Sequence, residues 1–125
     1  MLRSAGAVML ATMMKRARNI AAINEGSVTA VQARARVNRF LLSQVGSQFS
    51  AGEPEPDVVN ELWQVPLLLI TPGLVVGQVG EAIVSMNTRE IISHTDPEQI
   101  YAAAARVRKR HHAAIKASFL RAGKR

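Results

Sequence analysis

The chain contains no cysteine, few aromatic residues and no long apolar run. The absence of cysteine excludes disulfide frameworks, thiolate metal sites and cysteine nucleophiles. Aromatic residues make up 4% of the 125 residues, and Trp63 is the single tryptophan. The longest apolar candidate, residues 65–76, is interrupted by two prolines and a glycine. A bilayer span needs ~20 consecutive apolar residues, so the sequence predicts no membrane-spanning segment.

The composition is that of a folded domain. Hydrophobic residues make up 48% of the chain and charged residues 20%, which is close to globular averages and excludes wholesale disorder. A chain of this length suits one domain and can bury roughly two thirds of its unfolded surface.

The net charge of +7 is unevenly distributed along the chain. Residues 1–24 carry a charge of +4 and no acid, and residues 99–125 carry +8 and no acid. All nine acids lie in residues 25–98, where the net charge is −5. An acidic body between two basic ends indicates anionic partners, either polyanions or acidic protein surfaces.

The N-terminal segment, residues 1–24, allows several interpretations. An apolar run from Leu2 to Met14 has the size of a signal-peptide core, but it lacks a clear cleavage site. The acid-free, arginine-bearing opening also resembles an organelle-targeting presequence. The alternatives are a loosely held N-terminal extension and a misassigned start that precedes Met14. The predicted location is therefore cytoplasmic, or organellar if residues 1–24 are a targeting segment.

A first helix is predicted over residues 28–49. Thr29 and Gln32 have the spacing of a capping box, and the glycine and prolines of residues 52–56 end the helix. At 100° per residue, one face collects the apolar side chains Val31, Ala35, Val37, Leu41, Leu42, Val45 and Phe49.

The middle of the chain is rich in β-strand signals. Short turns separate apolar runs at residues 57–59, 63–70, 75–86 and 90–94, a pattern that favours an antiparallel meander. Pro66 cannot donate a ladder hydrogen bond, which predicts an edge strand or a bulge. Gly77 and Gly80 are predicted bulge or bend sites.

The last element has the clearest start. Asp96 is a predicted N-cap and Pro97 suits the first helical position. The helix is expected to continue to about Gly123. Past Ala105 it should project from the body, or lean on it through a narrow stripe formed by Val107, His111, Ile115 and Phe119.

Together these elements predict an α+β fold, with one helix packed on a three- to four-stranded antiparallel meander and followed by a long basic C-terminal helix. The predicted division is a basic and apolar extension at 1–26, an α+β core domain at 27–105 and a basic helical tail at 106–125. Packing on one sheet face predicts burial of Leu41, Val45, Trp63, Leu67, Leu69, Val79, Ile83 and Ile91.

The helix, the Trp63-x-Val65 strand and the run from Val84 to Ile91 follow one another as in small PepSY-type modules, which the chain resembles over residues 31–95. In those modules a helix packs on an antiparallel sheet, and a W-x-V strand precedes a hairpin of the form V-D-A-x-T-G-E-V. Here Ser85 stands where aspartate is usual, and Arg89 stands where glycine serves a positive-φ position.

The run from Gly77-x-x-Gly80-Glu81 to Thr95 is also similar to small uncharacterised bacterial proteins with the same helix-plus-hairpin plan. These resemblances imply a binding or inhibitory module and supply no catalytic residues.

Neither the histidines nor the carboxylates predict a reaction centre. Adjacent helical residues point about 100° apart, so His111 and His112 cannot both bind one metal ion, and His94 has no partner at metal-ligand spacing. Glu81 and Glu90 could face one another across a hairpin, but a hydrolase pair needs a cleft that a small meander does not offer. We predict no catalytic, cofactor-binding or metal-ligating residue, and the chain is not expected to be an enzyme.

The acid-free C-terminal region is the strongest functional signal. Its candidate polyanion-binding residues are Arg106, Arg108, Lys109, Arg110, Lys116 and Arg121. The leading prediction is nevertheless a non-enzymatic protein-binding or regulatory module, inhibitor- or antitoxin-like, whose partner is another protein. The alternatives are a nucleic-acid-associated protein that uses the basic C-terminal helix, and a structural homodimer joined through an exposed sheet edge at residues 63–70.

Overall fold

A computed structural model describes residues 27–123 of the chain, and the predicted extension at 1–26 lies outside these residues. The elements in chain order are α1 (Ala30–Gln44), β1 (Phe49–Ala51), β2 (Glu55–Asp57), β3 (Leu62–Thr71), β4 (Leu74–Ser85), β5 (Ile91–His94), α2 (Pro97–Arg110) and α3 (His112–Gly123). The predicted α+β class is confirmed, with a five-stranded antiparallel sheet. Two helices occupy the region where one long basic helix was expected.

Helix α1 begins with the predicted capping box. The Thr29 hydroxyl accepts a hydrogen bond from the Gln32 backbone N–H at 3.2 Å, and the Gln32 side chain accepts one from the Thr29 N–H at 3.0 Å. The prediction that the helix reaches residue 49 is wrong, because α1 ends at Gln44. Phe49 instead pairs with Leu69 across the sheet, so sheet hydrogen bonding overrides the apolar periodicity that extended the helix.

Strand β3 is the centre of the sheet. It pairs with β4 on one side and with both β1 and β2 on the other. The expectation that residues 63–70 form a free edge is therefore wrong. Pro66 is tolerated because it lies in the gap between β1 and β2, where its carbonyl accepts from the Gly52 N–H at 2.8 Å. The strand pair β3–β4 also carries two register shifts.

The two register shifts lie at Gly77 and Gly80 of β4, the glycines that were predicted to be bulge or bend sites. Opposite Leu67 and Leu68 stand Gly80 and Gln78, so Val79 is an extra residue, and a second shift leaves Val76 unpaired beside Gly77. A Cβ on Gly80 would lie 2.7 Å from the Thr95 hydroxyl oxygen. The glycine thus lets the segment after β5 approach the strand closely.

The core lies between one face of the sheet, here called the inner face, and the helices. On β3, buried Val65, Leu67 and Leu69 alternate with half-buried Pro66 and Leu68. Of the residues predicted to be buried, five are buried: Leu41, Val45, Leu67, Leu69 and Val79. Trp63 and Ile91 are partly buried against the core, and Ile83 is only half-buried. Ile83 differs because it faces Gln64 on the opposite side of the sheet, which we call the outer face.

Trp63 joins the start of the described chain to the sheet. Its indole N–H donates to the Val28 carbonyl at 2.9 Å, and the Val28 N–H donates to the Met86 carbonyl at 2.7 Å. The single tryptophan therefore packs against the core, as predicted, with its polar atom satisfied.

In the turn between β4 and β5, one residue adopts the left-handed backbone conformation. The Ser85 hydroxyl accepts from the backbone N–H groups of Asn87 and Thr88, at 3.0 and 3.1 Å. Arg89 has φ +67° at the position where PepSY-type hairpins carry glycine. The positive φ is thus adopted by a residue with a side chain, which costs conformational energy.

Candidate binding surface on the two C-terminal helices

Helix α2 is anchored to the inner face by three buried side chains. Asp96 and Pro97 begin the helix as expected, with the Asp96 carbonyl accepting from the Gln99 and Ile100 N–H groups. Ile100, Ala104 and Val107 are buried. Val107 rests against the backbone of β4, since a Cβ on Gly77 would lie 3.2 Å from its methyl carbon. The backbone positions that carry the exposed side chains of α2 are therefore fixed relative to the sheet.

The helical region breaks at His111. This residue has φ −117° and ψ 30°, and its N–H still donates to the Val107 carbonyl. Its own carbonyl accepts from the Ile115 N–H at 3.0 Å, which starts α3. The imidazole of His111 is exposed, so the predicted continuous stripe ends at Val107 and α3 contacts the body by other means.

Helix α3 is held at the β3–β4 hairpin by a hydroxyl pair. The Ser118 hydroxyl donates to the Pro72 carbonyl at 2.5 Å and accepts from the Thr71 hydroxyl at 2.9 Å. Ser118 is 1% exposed. Phe119, which belongs to the predicted narrow stripe, is 56% exposed, and Leu120 is 60% exposed. The helix thus buries a serine and exposes Phe119 and Leu120, while Ile115 is half-buried.

The structure brings together three of the six predicted cations. All six are exposed. At 100° per residue, Arg106, Lys109 and Arg110 lie within about 100° of one another on one flank of α2, and Arg108 lies on the opposite flank. Lys116 and Arg121 belong to α3, where they are about 140° apart. The candidate set is therefore one cluster on α2 with three separate charges around it.

These cations are not neutralised within the described part of the chain. Among residues 27–123 the one ion pair joins Arg34 to Glu53, at 3.4 Å. Glu98, in the opening turn, is the single acid of α2, and α3 contains none. The charge of the two helices is therefore available to an anionic partner. We call the exposed cations of α2 and α3, together with Phe119 and Leu120, the basic surface.

The sequence prediction placed Phe119 on a narrow apolar stripe of the C-terminal helix and did not select Leu120. Adjacent helical residues point about 100° apart, so the two could not share one narrow buried stripe. This angle, with Ser118 as the preceding residue, indicated that one of the two large apolar side chains would be exposed to solvent.

Other candidate sites have less support within residues 27–123. No group of three or more histidine, aspartate and glutamate side chains is placed to hold a metal ion there, and His94 instead lies against Phe40, with ring centroids 4.5 Å apart. A depression of about 150 Å³ on the outer face is lined by Glu55, Gln64, Pro66, Gln78 and Glu81. Ligand pockets commonly hold about 300–1,000 Å³, so this depression is too small for a substrate site.

No helix among these residues is both long and apolar enough to cross a membrane. No protein-family model matches the chain, and no curated protein or solved structure shows significant similarity to it.

Proposed function

We propose that this protein is a non-enzymatic binding module that docks onto an acidic surface of another protein through the basic surface. The observation that carries the proposal is the pair of large apolar side chains exposed on α3, Phe119 and Leu120, next to buried Ser118. Exposed apolar side chains beside cations fit a partner that offers both an apolar pocket and carboxylates.

Energetic magnitudes favour apolar anchors over charge as the source of affinity. Burying a phenylalanine or leucine side chain contributes about 1.5–3 kcal/mol. An exposed ion pair contributes about 0–1 kcal/mol. Lys116 and Arg121 would therefore steer association, while Phe119 and Leu120 would hold the complex.

The geometry of α3 supports docking of a preformed surface. The Ser118 hydroxyl is hydrogen-bonded to both Thr71 and Pro72. The helix is therefore attached to the β3–β4 hairpin before any partner binds. Pre-organisation of this kind lowers the entropic cost of association. A regulatory role, inhibitor- or antitoxin-like, is part of the proposal, and the resemblances described above imply a binding or inhibitory module. A cytoplasmic site of action belongs to it as well, with an organellar one as the alternative if residues 1–24 are a targeting segment.

The test compares proteins captured by the tagged full-length chain and by two double variants, with and without nuclease. We expect Phe119→Ser/Leu120→Ser to lose a nuclease-resistant protein partner. The matched control is Val31→Ser/Leu42→Ser, which removes two apolar side chains that are 77% and 70% exposed on α1. The proposal would be contradicted if both variants lost the partner equally, or if both retained it.

A second candidate function is nucleic-acid association, favoured by the cluster of Arg106, Lys109 and Arg110. Three phosphate contacts give a log–log salt slope of about −3 on duplex DNA. We expect Arg106→Gln/Lys109→Gln/Arg110→Gln to abolish this salt-dependent binding equally for unrelated sequences. The control variant Arg108→Gln/Lys116→Gln/Arg121→Gln removes the same charge from scattered positions and should retain most of the binding. No salt-dependent affinity for any polyanion in the parent protein would exclude this function.

A further inference from the structure

The outer face of the sheet carries acidic and apolar side chains together. Cross-strand neighbours share a face, which places Glu55 beside Gln64, Glu81 beside Pro66 and Gln78 beside Leu68. Both glutamates are exposed, and Pro66 and Leu68 are half-buried. The five lining residues of the 150 Å³ depression all belong to this face.

The described helices leave this face uncovered because they contact the opposite one. Val107 of α2 lies against Gly77, which pairs with buried Leu69. Phe40 of α1 lies against His94, whose partner Ala82 is also buried. Apolar side chains such as Leu68 and Ile83 therefore remain open to a further chain segment.

The charge of the outer face indicates which kind of segment would bind to it. Neither Glu55 nor Glu81 has an ion-pair partner within residues 27–123. A cation-bearing segment that also contains apolar side chains would complement the carboxylates and cover the apolar residues between them. Residues 1–24 have this composition, with four cations, no acid and an apolar run from Leu2 to Met14.

The described part of the chain begins beside Met86, next to the end of β4 and on the core side of the sheet. Val28 is hydrogen-bonded to Met86, and the stretch of strand from Glu81 to Met86 covers a distance of about 17 Å. The segment 1–24 is long enough to span several times that distance. A tethered segment also has a high effective concentration, which compensates for the weakness of individual surface ion pairs.

We propose that the outer face is a docking surface for this chain's own residues 1–24, in which Lys15, Arg16 and Arg18 meet Glu55 and Glu81. Docking would cover the apolar residues of the face. A partner that binds residues 1–24 would then expose the face again. The proposal is independent of the function assigned to the basic surface.

The test uses the full chain and its lack of cysteine, so that a single introduced thiol is the only reactive site. A Gln64→Cys reporter lies in the depression, and a Gln99→Cys reporter lies exposed on α2 as the control. Each is treated with a neutral maleimide in four backgrounds: parent, Lys15→Glu/Arg16→Glu/Arg18→Glu, Glu55→Lys/Glu81→Lys, and both sets combined.

We expect the outer-face thiol to react about tenfold more slowly in the parent than in either single charge reversal, which corresponds to a docked population of about 90%. The combined reversal should restore protection. Its comparison with Glu55→Lys/Glu81→Lys is decisive, because both contain the same lysines beside the thiol. The control thiol should react equally in all four backgrounds.

Three results would overturn the proposal. The first is equal reactivity of the outer-face thiol in the parent and in the reversal of residues 15, 16 and 18. The second is a combined reversal that stays as reactive as Glu55→Lys/Glu81→Lys. The third is protection that increases with protein concentration, which would assign the face to a second copy.

Discussion

Leu41 and Leu42 are adjacent in sequence but differ completely in their surroundings. Leu41 is 0% exposed in the core between α1 and the sheet, and Leu42 is 70% exposed. Both were placed on one broad apolar face by the helical period, and only packing of the helix against the core distinguished them. The apolar period alone therefore located the buried side of α1 without resolving neighbouring positions.

This pair gives a matched test of the core. Leu41→Ala should lower the free energy of unfolding by about 2–5 kcal/mol, as buried leucine truncations do. Leu42→Ala removes the same side-chain atoms from a solvent-exposed position, so it should change the free energy of unfolding by less than about 0.5 kcal/mol. Denaturant titration followed by Trp63 fluorescence measures both. Equal effects of the two substitutions would show that α1 is not packed in this orientation.

At the scale of secondary-structure elements, the helix starts were predictable and the first strand was not. Capping boxes and N-cap residues are local signals, and both Thr29 and Asp96 begin helices. Strand β1 is short and exists only because it pairs with Leu67, Leu68 and Leu69. Those partners lie beyond β2 in the chain, so no local window contains the signal for this strand or for its register.

The free edge of β1 is closed by side chains of α1. The Asn38 side-chain oxygen accepts from the Ala51 N–H at 2.8 Å, and the Arg34 guanidinium donates to the Ala51 carbonyl at 3.1 Å. An unpaired strand edge is an aggregation hazard that proteins commonly block. Here the block is polar and comes from the neighbouring helix.

Removing this block should affect both stability and solubility. Asn38→Ala leaves the Ala51 N–H without its partner, which should cost about 1–3 kcal/mol of unfolding free energy. We also expect faster aggregation on mild heating, measured by light scattering. Ser43→Ala, on an exposed position of the same helix, should change neither quantity by much. A soluble Asn38→Ala protein of parental stability would contradict the role of this contact.

At the scale of the whole molecule, the basic end of the chain is partly core. A boundary after residue 105 would separate Val107 from the sheet, although Val107 is 7% exposed and lies against Gly77. The cations of the same helix remain in water. One helix therefore serves both the core and the basic surface, which residue types alone did not distinguish.

Two truncations test this division. A chain that ends at Arg110 keeps Val107, whereas a chain that ends at Ala105 loses it. Burial of a valine contributes about 1.5 kcal/mol or more, which corresponds to roughly 6–12 °C in the melting temperature of a domain of this size. We expect the shorter chain to melt lower by that amount in calorimetry. Identical melting temperatures would place the core boundary at residue 105.

The sequence by itself determined the α+β class, the helix starts at Thr29 and Asp96, the glycine bulges of β4 and the charge distribution. Each of these depends on local chemistry: backbone caps, the tolerance of glycine for close approach, and the charges of the side chains. Tertiary structure alone decided that β3 is central, that Ser118 is buried while Phe119 is exposed, and that α1 and α2 pack on the same face of the sheet. Those outcomes depend on contacts between residues distant in the chain, where a partner such as Pro72 or Leu69 determines which side chain is buried.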